Sequence, residues 1–235
     1  MRVSVFVPAY QEESTIGELL GRIVACDVAR EGFEREILVC DDGSTDGTAD
    51  MLRKAVEAAP QLRIFKHASN RGKGAAIRTM LAHASGDCVL IQDADLEYDV
   101  EDCLPLLRAF RAGYDAVYGS RFLATNRPEG MQLQNLVANR VLTRTANFLY
   151  RLHLTDEATC LKLVRTTLLR AMNLKCERFE FCPEVTAKLG LMGVNIHEVP
   201  VRYRARNVLN GKKIRWQDGI EALSVLFEHR PRGRS

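Results

Sequence analysis

No two cysteines in this 235-residue sequence are spaced as CxxC, and none of the seven falls into a zinc-ligand pattern. Cys40 and Cys88 instead sit in apolar runs, where a free thiol acts as a small hydrophobe. That usage points to a reducing, cytoplasmic compartment. No stretch approaches ~18 consecutive apolar residues, so the sequence predicts no membrane-spanning helix. The first residues reach Pro8 too soon for a signal peptide. Repeats and low-complexity tracts are missing too. A net charge of +3 is too small to argue for nucleic acid. GxGxxG is absent after the first apolar run and GxxxxGK[ST] is absent throughout, which excludes a dinucleotide fingerprint and a P-loop.

What remains is a chain of 46% apolar and 27% charged residues, the balance of a soluble globular protein. Val3 to Val7, Ile37 to Cys40, Leu62 to Phe65 and Cys88 to Gln92 are short apolar runs that read as buried strands. Between them, Ile16-Leu19-Leu20-Ile23, Met51-Leu52-Ala55-Val56 and Ile77-Met80-Leu81-Ala84 recur at helical spacing. Strand and helix alternating every ~25–30 residues predict a parallel sheet with right-handed crossovers. The rhythm then loosens. Leu104 to Phe110, Leu133 to Leu152 and Pro183 to Leu191 predict helices, with strands at Ala116 to Tyr118, Leu161 to Val164 and Asn195 to Val199. A last helix from Ile214 carries Trp216, Ile220, Leu223 and Phe227 as one apolar stripe. It is expected either to dock on the core or to lie on a membrane, with Arg230, Arg232 and Arg234 near anionic headgroups.

In a parallel sheet, ligands sit beyond the carboxyl ends of the strands. Four polar clusters fall there: Pro8 to Glu12, Asp41 to Ser44, Asn70 to Gly74 and Asp93 to Glu97. The last is acidic at every second position, and in an extended chain Asp93, Asp95 and Glu97 would point the same way. Three converging carboxylates repel one another, and a hard divalent cation, Mg²⁺ or Mn²⁺, is the natural counter-charge. Alone, the triplet would equally describe a solvated acidic turn; its three companions on the same edge make a site. Asp41 and Asp42 suit the N–H groups of a base and ribose hydroxyls, and they also fit an Asx turn with a helix cap. Lys73, between two glycines at a helix start, suits a diphosphate.

These clusters resemble, in order and spacing, the family 2 glycosyltransferases, and within them the dolichyl- and polyprenyl-phosphate sugar synthases. The likeness extends to Gly119-Ser120-Arg121-Phe122, Leu154 to Cys160 and Glu198 to Tyr203. It implies an α/β GT-A fold, a Rossmann-like and mostly parallel sheet flanked by helices. The catalytic unit would span 1–205, with a basic acceptor loop and amphipathic helix over 206–235. It further implies inverting, metal-dependent transfer from a UDP- or GDP-sugar to a polyprenyl phosphate. Many such enzymes carry transmembrane helices not expected in this sequence, so a lipid acceptor would be met peripherally, or the acceptor is not a lipid. Pro8, Tyr10, Glu12 and Asp41 would hold the nucleoside beside Asp42 and Lys73. Asp93, Asp95 and Glu97 would hold metal and diphosphate, while Ser120, Arg121, Arg140, Arg206 and Lys212 would grip the acceptor. Asp95, Arg121 and Asp156 are the expected catalytic residues. A hydroxyl or amine acceptor would instead need a base, for which Asp156, Glu180 and Glu184 are candidates. A non-catalytic nucleotide-binding module is the reading from another class.

Overall fold

The computed structural model describes residues 1–205 and 216–230, excluding the side chains of 216 and 217. Arg206 and Lys212, two of the expected acceptor residues, lie outside the described residues. The elements in order are β1 (Arg2–Ala9), α1 (Ile16–Ala25), β2 (Glu34–Asp41), α2 (Thr48–Ala58), β3 (Leu62–Lys66), α3 (Lys73–Leu81) and β4 (Cys88–Ile91). There follow α4 (Cys103–Arg111), β5 (Ala116–Ser120), α5 (Leu133–Tyr150), β6 (Lys162–Arg165), α6 (Thr166–Ala171), α7 (Phe181–Leu191), β7 (Ile196–Pro200) and α8 (Trp216–Glu228).

The seven strands form one sheet in the order β3-β2-β1-β4-β6-β5-β7. β1 pairs in parallel with β2 and β4, β2 with β3, and β5 with β7. β6 runs antiparallel to both β4 and β5. It is the one strand among the seven that opposes the rest, so the carboxyl ends of β1, β2, β4 and β5 share an edge.

The continuous apolar runs reflect burial on both faces of the sheet. Val3, Val5 and Val7 of β1 join Leu19, Leu52 and Leu106 in one core, while Phe6 points through the sheet to Ile77, Met80 and Phe181 in another. A third cluster lies away from the sheet, where Leu142 and Ala146 of α5 meet Ala187 of α7 and Ala222 and Leu226 of α8. Tyr150 closes it by donating its hydroxyl to the Leu226 carbonyl at 2.5 Å.

This packing corrects the phase expected for α8. The helix docks through Ala222, Leu226 and the half-buried Leu223, whereas Ile220 and Phe227 are 57% and 50% exposed. Ile220-Leu223-Phe227 is therefore not one docking face. Periodicity shows that the helix is amphipathic; the position of α5 and α7 decides which side is covered. The short α6, six residues long and directly following β6, was not foreseen.

Candidate active site at the carboxyl edge of the sheet

β1 and β2 end side by side, and their loops are stitched together. The Gln11 amide oxygen accepts from Thr45 N and Asp46 N, both at 3.1 Å. Gln11 N donates to Ser44 Oγ at 3.0 Å and Glu12 N to Thr48 Oγ1 at 2.8 Å. Gln11 itself takes the left-handed conformation, φ 52°, which turns the chain off the strand. Tyr10 and Pro8 line the edge half-buried, and Glu12 is buried. Gly43 has φ +75° and its missing Cβ would lie 2.5 Å from the Ser69 carbonyl carbon. A side chain there would therefore drive the β2 loop away from the loop after β3.

Asp41 and Asp42 are adjacent and both buried, yet they differ. Asp41 Oδ1 accepts from Ser44 N at 2.9 Å, while among the described residues its Oδ2 is buried without a hydrogen bond and has Lys66 Nζ at 3.9 Å. Buried oxygens usually find a donor, so Asp41 offers an acceptor to a ligand. Asp42 is engaged: it accepts from Arg71 N at 3.0 Å, Gly72 N at 2.6 Å and pairs with His67 Nδ1 at 2.6 Å. The Asx-turn alternative thus describes Asp41 in part, and Asp42 braces the neighbouring loop.

Lys73 opens α3 and forms a close ion pair with Asp93. Burial alone would lower its ammonium pKa, but Asp93 outweighs that and holds it well above the ordinary lysine value. β4 stops at Ile91, and Asp93 to Glu97 form a turn in which Leu96 has φ 59°. The alternation expected of an extended chain therefore does not hold. Asp95 Oδ1 accepts from Glu97 N at 3.1 Å, and Glu97 Oε2 accepts from the Tyr203 hydroxyl at 2.9 Å. Among the described residues no three His, Cys, Asp or Glu side chains are grouped so as to cage a metal ion. The donor set still fits a divalent cation of the Mg²⁺ type, which commonly takes one or two carboxylates and completes its shell with substrate phosphates. Asp93 and Asp95 would be those carboxylates.

On the other side of the edge, Arg121 follows β5 and grips Asp156 bidentately, Nε to Oδ2 and Nη2 to Oδ1, both at 2.7 Å. Arg121 N adds a third bond at 3.0 Å. Both partners are buried. Burial would lower the guanidinium pKa, yet Asp156 holds it well above its usual value. The Arg121 guanidinium also lies 5.1 Å from the centre of the Tyr203 ring, a cation–π distance. Ser120 Oγ contacts Thr155 Oγ1 at 2.6 Å. Glu198 of β7 fixes this loop by accepting from Thr155 N at 2.7 Å and Asp156 N at 2.9 Å.

The remaining candidates are dispersed. Arg140 is exposed on α5, with one bond to the Asn126 carbonyl at 3.2 Å. Glu184 accepts from Lys175 N, Cys176 N and Lys188 Nζ. Glu180 accepts from Glu177 N and Arg178 N, both at 3.1 Å. Arg202 and Arg204, which precede the expected basic loop, are also engaged, Arg202 with Asp102 and Asp99 and Arg204 with Glu129. Tyr203, Glu198 and His67 enter the site without having been singled out as site residues. Tyr203 and Glu198 carry no spacing signal, because each reaches the edge from a segment distant in the chain.

The Glycosyl transferase family 2 description matches residues 4–172. The undecaprenyl-phosphate 4-deoxy-4-formamido-L-arabinose transferase of Edwardsiella ictaluri is 33% identical over 208 residues, 87% of this chain and 60% of that one. The chain therefore spans about three fifths of that relative's length. Among solved structures, the mannosyltransferase PcManGT of Pyrobaculum calidifontis, in complex with GDP-Man and Mn²⁺, aligns with a TM-score of 0.61 at 23% identity. That match covers 88% of this chain and 57% of PcManGT. Glucosyl-3-phosphoglycerate synthase of Mycobacterium tuberculosis, in complex with Mg²⁺ and UDP, aligns with a TM-score of 0.72 at 19% identity, covering 97% and 79%. The seven-stranded, mostly parallel sheet is that of a GT-A fold, and the chain belongs to glycosyl transferase family 2.

Proposed function

We propose that this chain transfers a sugar, with inversion, from a UDP- or GDP-sugar to the phosphate of a polyprenyl chain. The observation that carries the acceptor half is the engagement of Asp156, which already accepts two guanidinium N–H bonds and one main-chain bond. A hydroxyl acceptor needs a base for its proton. Glu184 spends both oxygens on main-chain N–H groups and Lys188. Glu180 accepts two main-chain bonds at Oε1, while its Oε2 is buried without a hydrogen bond among the described residues. A phosphate monoester arrives ionised and needs only positioning and positive charge against the donor diphosphate. Its oxygen forms the new bond to the anomeric carbon as the bond from that carbon to the donor β-phosphate breaks. The electron pair leaves on the nucleoside diphosphate, and no proton has to be removed.

On the donor side, the open oxygen of Asp41 supports recognition of a base N–H between Pro8, Tyr10 and Glu12. Asp93 and Asp95 would hold Mg²⁺ or Mn²⁺, which when bound neutralises charge on the departing diphosphate. Glu97 acts through Tyr203, and Lys73 contributes a fixed cation beside the diphosphate. Arg121 orients Asp156 and the loop it closes. Arg140, Arg206 and Lys212 are the cations assigned to the acceptor phosphate.

A lipid acceptor requires contact with a membrane surface, and α5 supports one. Leu133, Val137, Val141 and Phe148 are 66%, 53%, 44% and 85% exposed and recur along one side of a helix without a single acidic residue. Arg140 and Arg144 flank them. No helix among the described residues is long and apolar enough to cross a bilayer, so this contact is peripheral, on the cytoplasmic face where nucleotide sugars and reduced thiols occur together.

The test is a screen of radiolabelled nucleotide sugars with Mn²⁺ and polyprenyl phosphate, followed by organic extraction. Label is expected in the organic phase, and Asp95→Ala is expected to cut it by about two to three orders of magnitude while the melting temperature holds. Label transferred only to soluble hydroxyl acceptors would overturn the acceptor assignment. Binding of no nucleotide sugar would overturn the whole reading, and full activity of Asp95→Ala would remove the metal–diphosphate role.

A further inference from the structure

The contacts of one buried imidazole link the ends of β2 and β3 to α3. His67 follows β3 and extends the sheet by one bond, its N–H donating to the Asp41 carbonyl at 2.9 Å. The ring is 7% exposed and spans two elements. Nδ1 lies 2.6 Å from Asp42 Oδ1, and Nε2 lies 2.9 Å from Thr79 Oγ1 on α3. A carboxylate can only accept, so Nδ1 carries the hydrogen of that bond, and Nε2 is paired with the threonine hydroxyl.

Asp42 passes this constraint on. Its other bonds come from the main-chain N–H groups of Arg71 and Gly72, the two residues before Lys73. The far side of the same loop has no slack. Gly72 has φ +99°, and a Cβ on it would lie 2.4 Å from the Glu177 carbonyl oxygen. A Cβ on Gly74 would lie 2.2 Å from the Cys176 carbonyl oxygen, and Ala75 N donates to the Glu177 carbonyl at 3.0 Å. The loop is thus pressed onto 176–178 from one side and held by Asp42 from the other. Lys73 leaves it already aimed at Asp93.

We propose that His67 is a positioning residue for the donor: through Asp42 it fixes the Arg71–Gly72 backbone and hence the Lys73 ammonium against the diphosphate. Asp42 accordingly serves the nucleotide at one remove, and Asp41 alone of the pair meets it. This rests on the reading that Lys73 faces the donor diphosphate. Leucine would fill the volume of the ring and still leave Asp42 one donor short. Asparagine can place an N–H where Nδ1 sits but cannot reach Thr79.

The experiment compares the whole chain as wild type, His67→Leu, His67→Asn and Thr79→Val. Titration calorimetry with UDP and GDP in Mn²⁺ gives the diphosphate affinity; steady-state assays give KM for donor and acceptor and kcat; melting temperatures are recorded alongside. Loss of a hydrogen bond to a charged group is expected to weaken diphosphate binding and raise the donor KM about tenfold in His67→Leu. The acceptor KM should stay within about twofold, since that side of the edge is held by Arg121, Asp156 and Glu198. His67→Asn should recover most of the affinity, and Thr79→Val should give a smaller loss of the same kind. Should His67→Leu not fold, the ordering of wild type, His67→Asn and Thr79→Val still decides. A lowered melting temperature with unchanged donor KM in these variants would overturn the proposal and leave the donor site standing. So would His67→Asn and Thr79→Val both binding diphosphate as tightly as the wild type when His67→Leu is unfolded. If the wild type itself binds neither UDP nor GDP, the donor reading falls first and the role of His67 with it.

Discussion

Arg121 and Asp156 hold each other out of water, and each is costly to bury alone. Arg121→Met would leave a carboxylate of zero exposure with one main-chain donor among the described residues, the N–H of residue 121. The expected loss is about 3–5 kcal/mol of stability, read from the midpoint of urea unfolding. The double variant Arg121→Met with Asp156→Leu should recover much of it, because an apolar pair of similar volume avoids the uncompensated charge. Neither variant should transfer sugar. If the single variant unfolded at the wild-type midpoint, the pair would not be the brace described here. At this scale the sequence was legible where chemistry is local. Asp93 and Lys73, twenty residues apart, were both placed at the diphosphate and are found paired. Asp41 and Asp42 could not be told apart. What separates them is His67, twenty-five residues away from Asp42, and no local pattern encodes that contact.

Elements were easiest to read where burial on both faces left an unbroken apolar run. β1, β2 and β4 are of that kind, α1 to α3 show the helical period between them, and their loops carry the proposed donor half of the site. The acceptor half was harder because its parts depend on tertiary placement. The acidic turn loses its strand-like alternation at Leu96, whose positive φ no hydrophobic pattern announces. The stripe on α8 had the right period and the wrong face. It is α5 that presents the larger exposed apolar side, and its 18 residues include arginines and no acid. Binding to vesicles containing phosphatidylglycerol is therefore expected, with little binding to phosphatidylcholine alone. Val141→Glu combined with Phe148→Glu should abolish it, since both side chains are exposed and neither substitution disturbs the Leu142–Ala146–Leu226 packing. Co-sedimentation reads the result; retention of the double variant on anionic vesicles would assign the membrane contact to another surface.

For the molecule as a whole, the response to pH should carry the mark of one carboxyl outside the expected site residues. Glu157 is fully buried beside β6, and burial pushes its pKa up to about 7, although Lys162 pulls it the other way. The Lys162 ammonium donates to the Glu157 carbonyl oxygen at 2.7 Å and lies 3.5 Å from the centre of the Tyr118 ring, so its charge is only partly directed at the carboxylate. In the unfolded chain Glu157 ionises near the ordinary glutamate value of 4.5. Between about 4.5 and 7 the folded state therefore binds the extra proton, and stability falls as pH rises through that window. The contribution is on the order of 3 kcal/mol once both states are ionised. It opposes the contributions of Glu36 and Asp46, whose pKa values are held below the ordinary range by their hydrogen bonds despite burial, and which stabilise the fold above their unfolded values. The net curve mixes these effects, but Glu157→Gln isolates one of them. Glutamine keeps the shape and stays neutral, so urea unfolding should find the variant close to wild type at pH 4.5 and more stable at pH 8. The difference should open between those limits. Parallel curves would mean that the carboxyl ionises at its ordinary pH inside the fold, with water or a cation reaching a site that the packing closes.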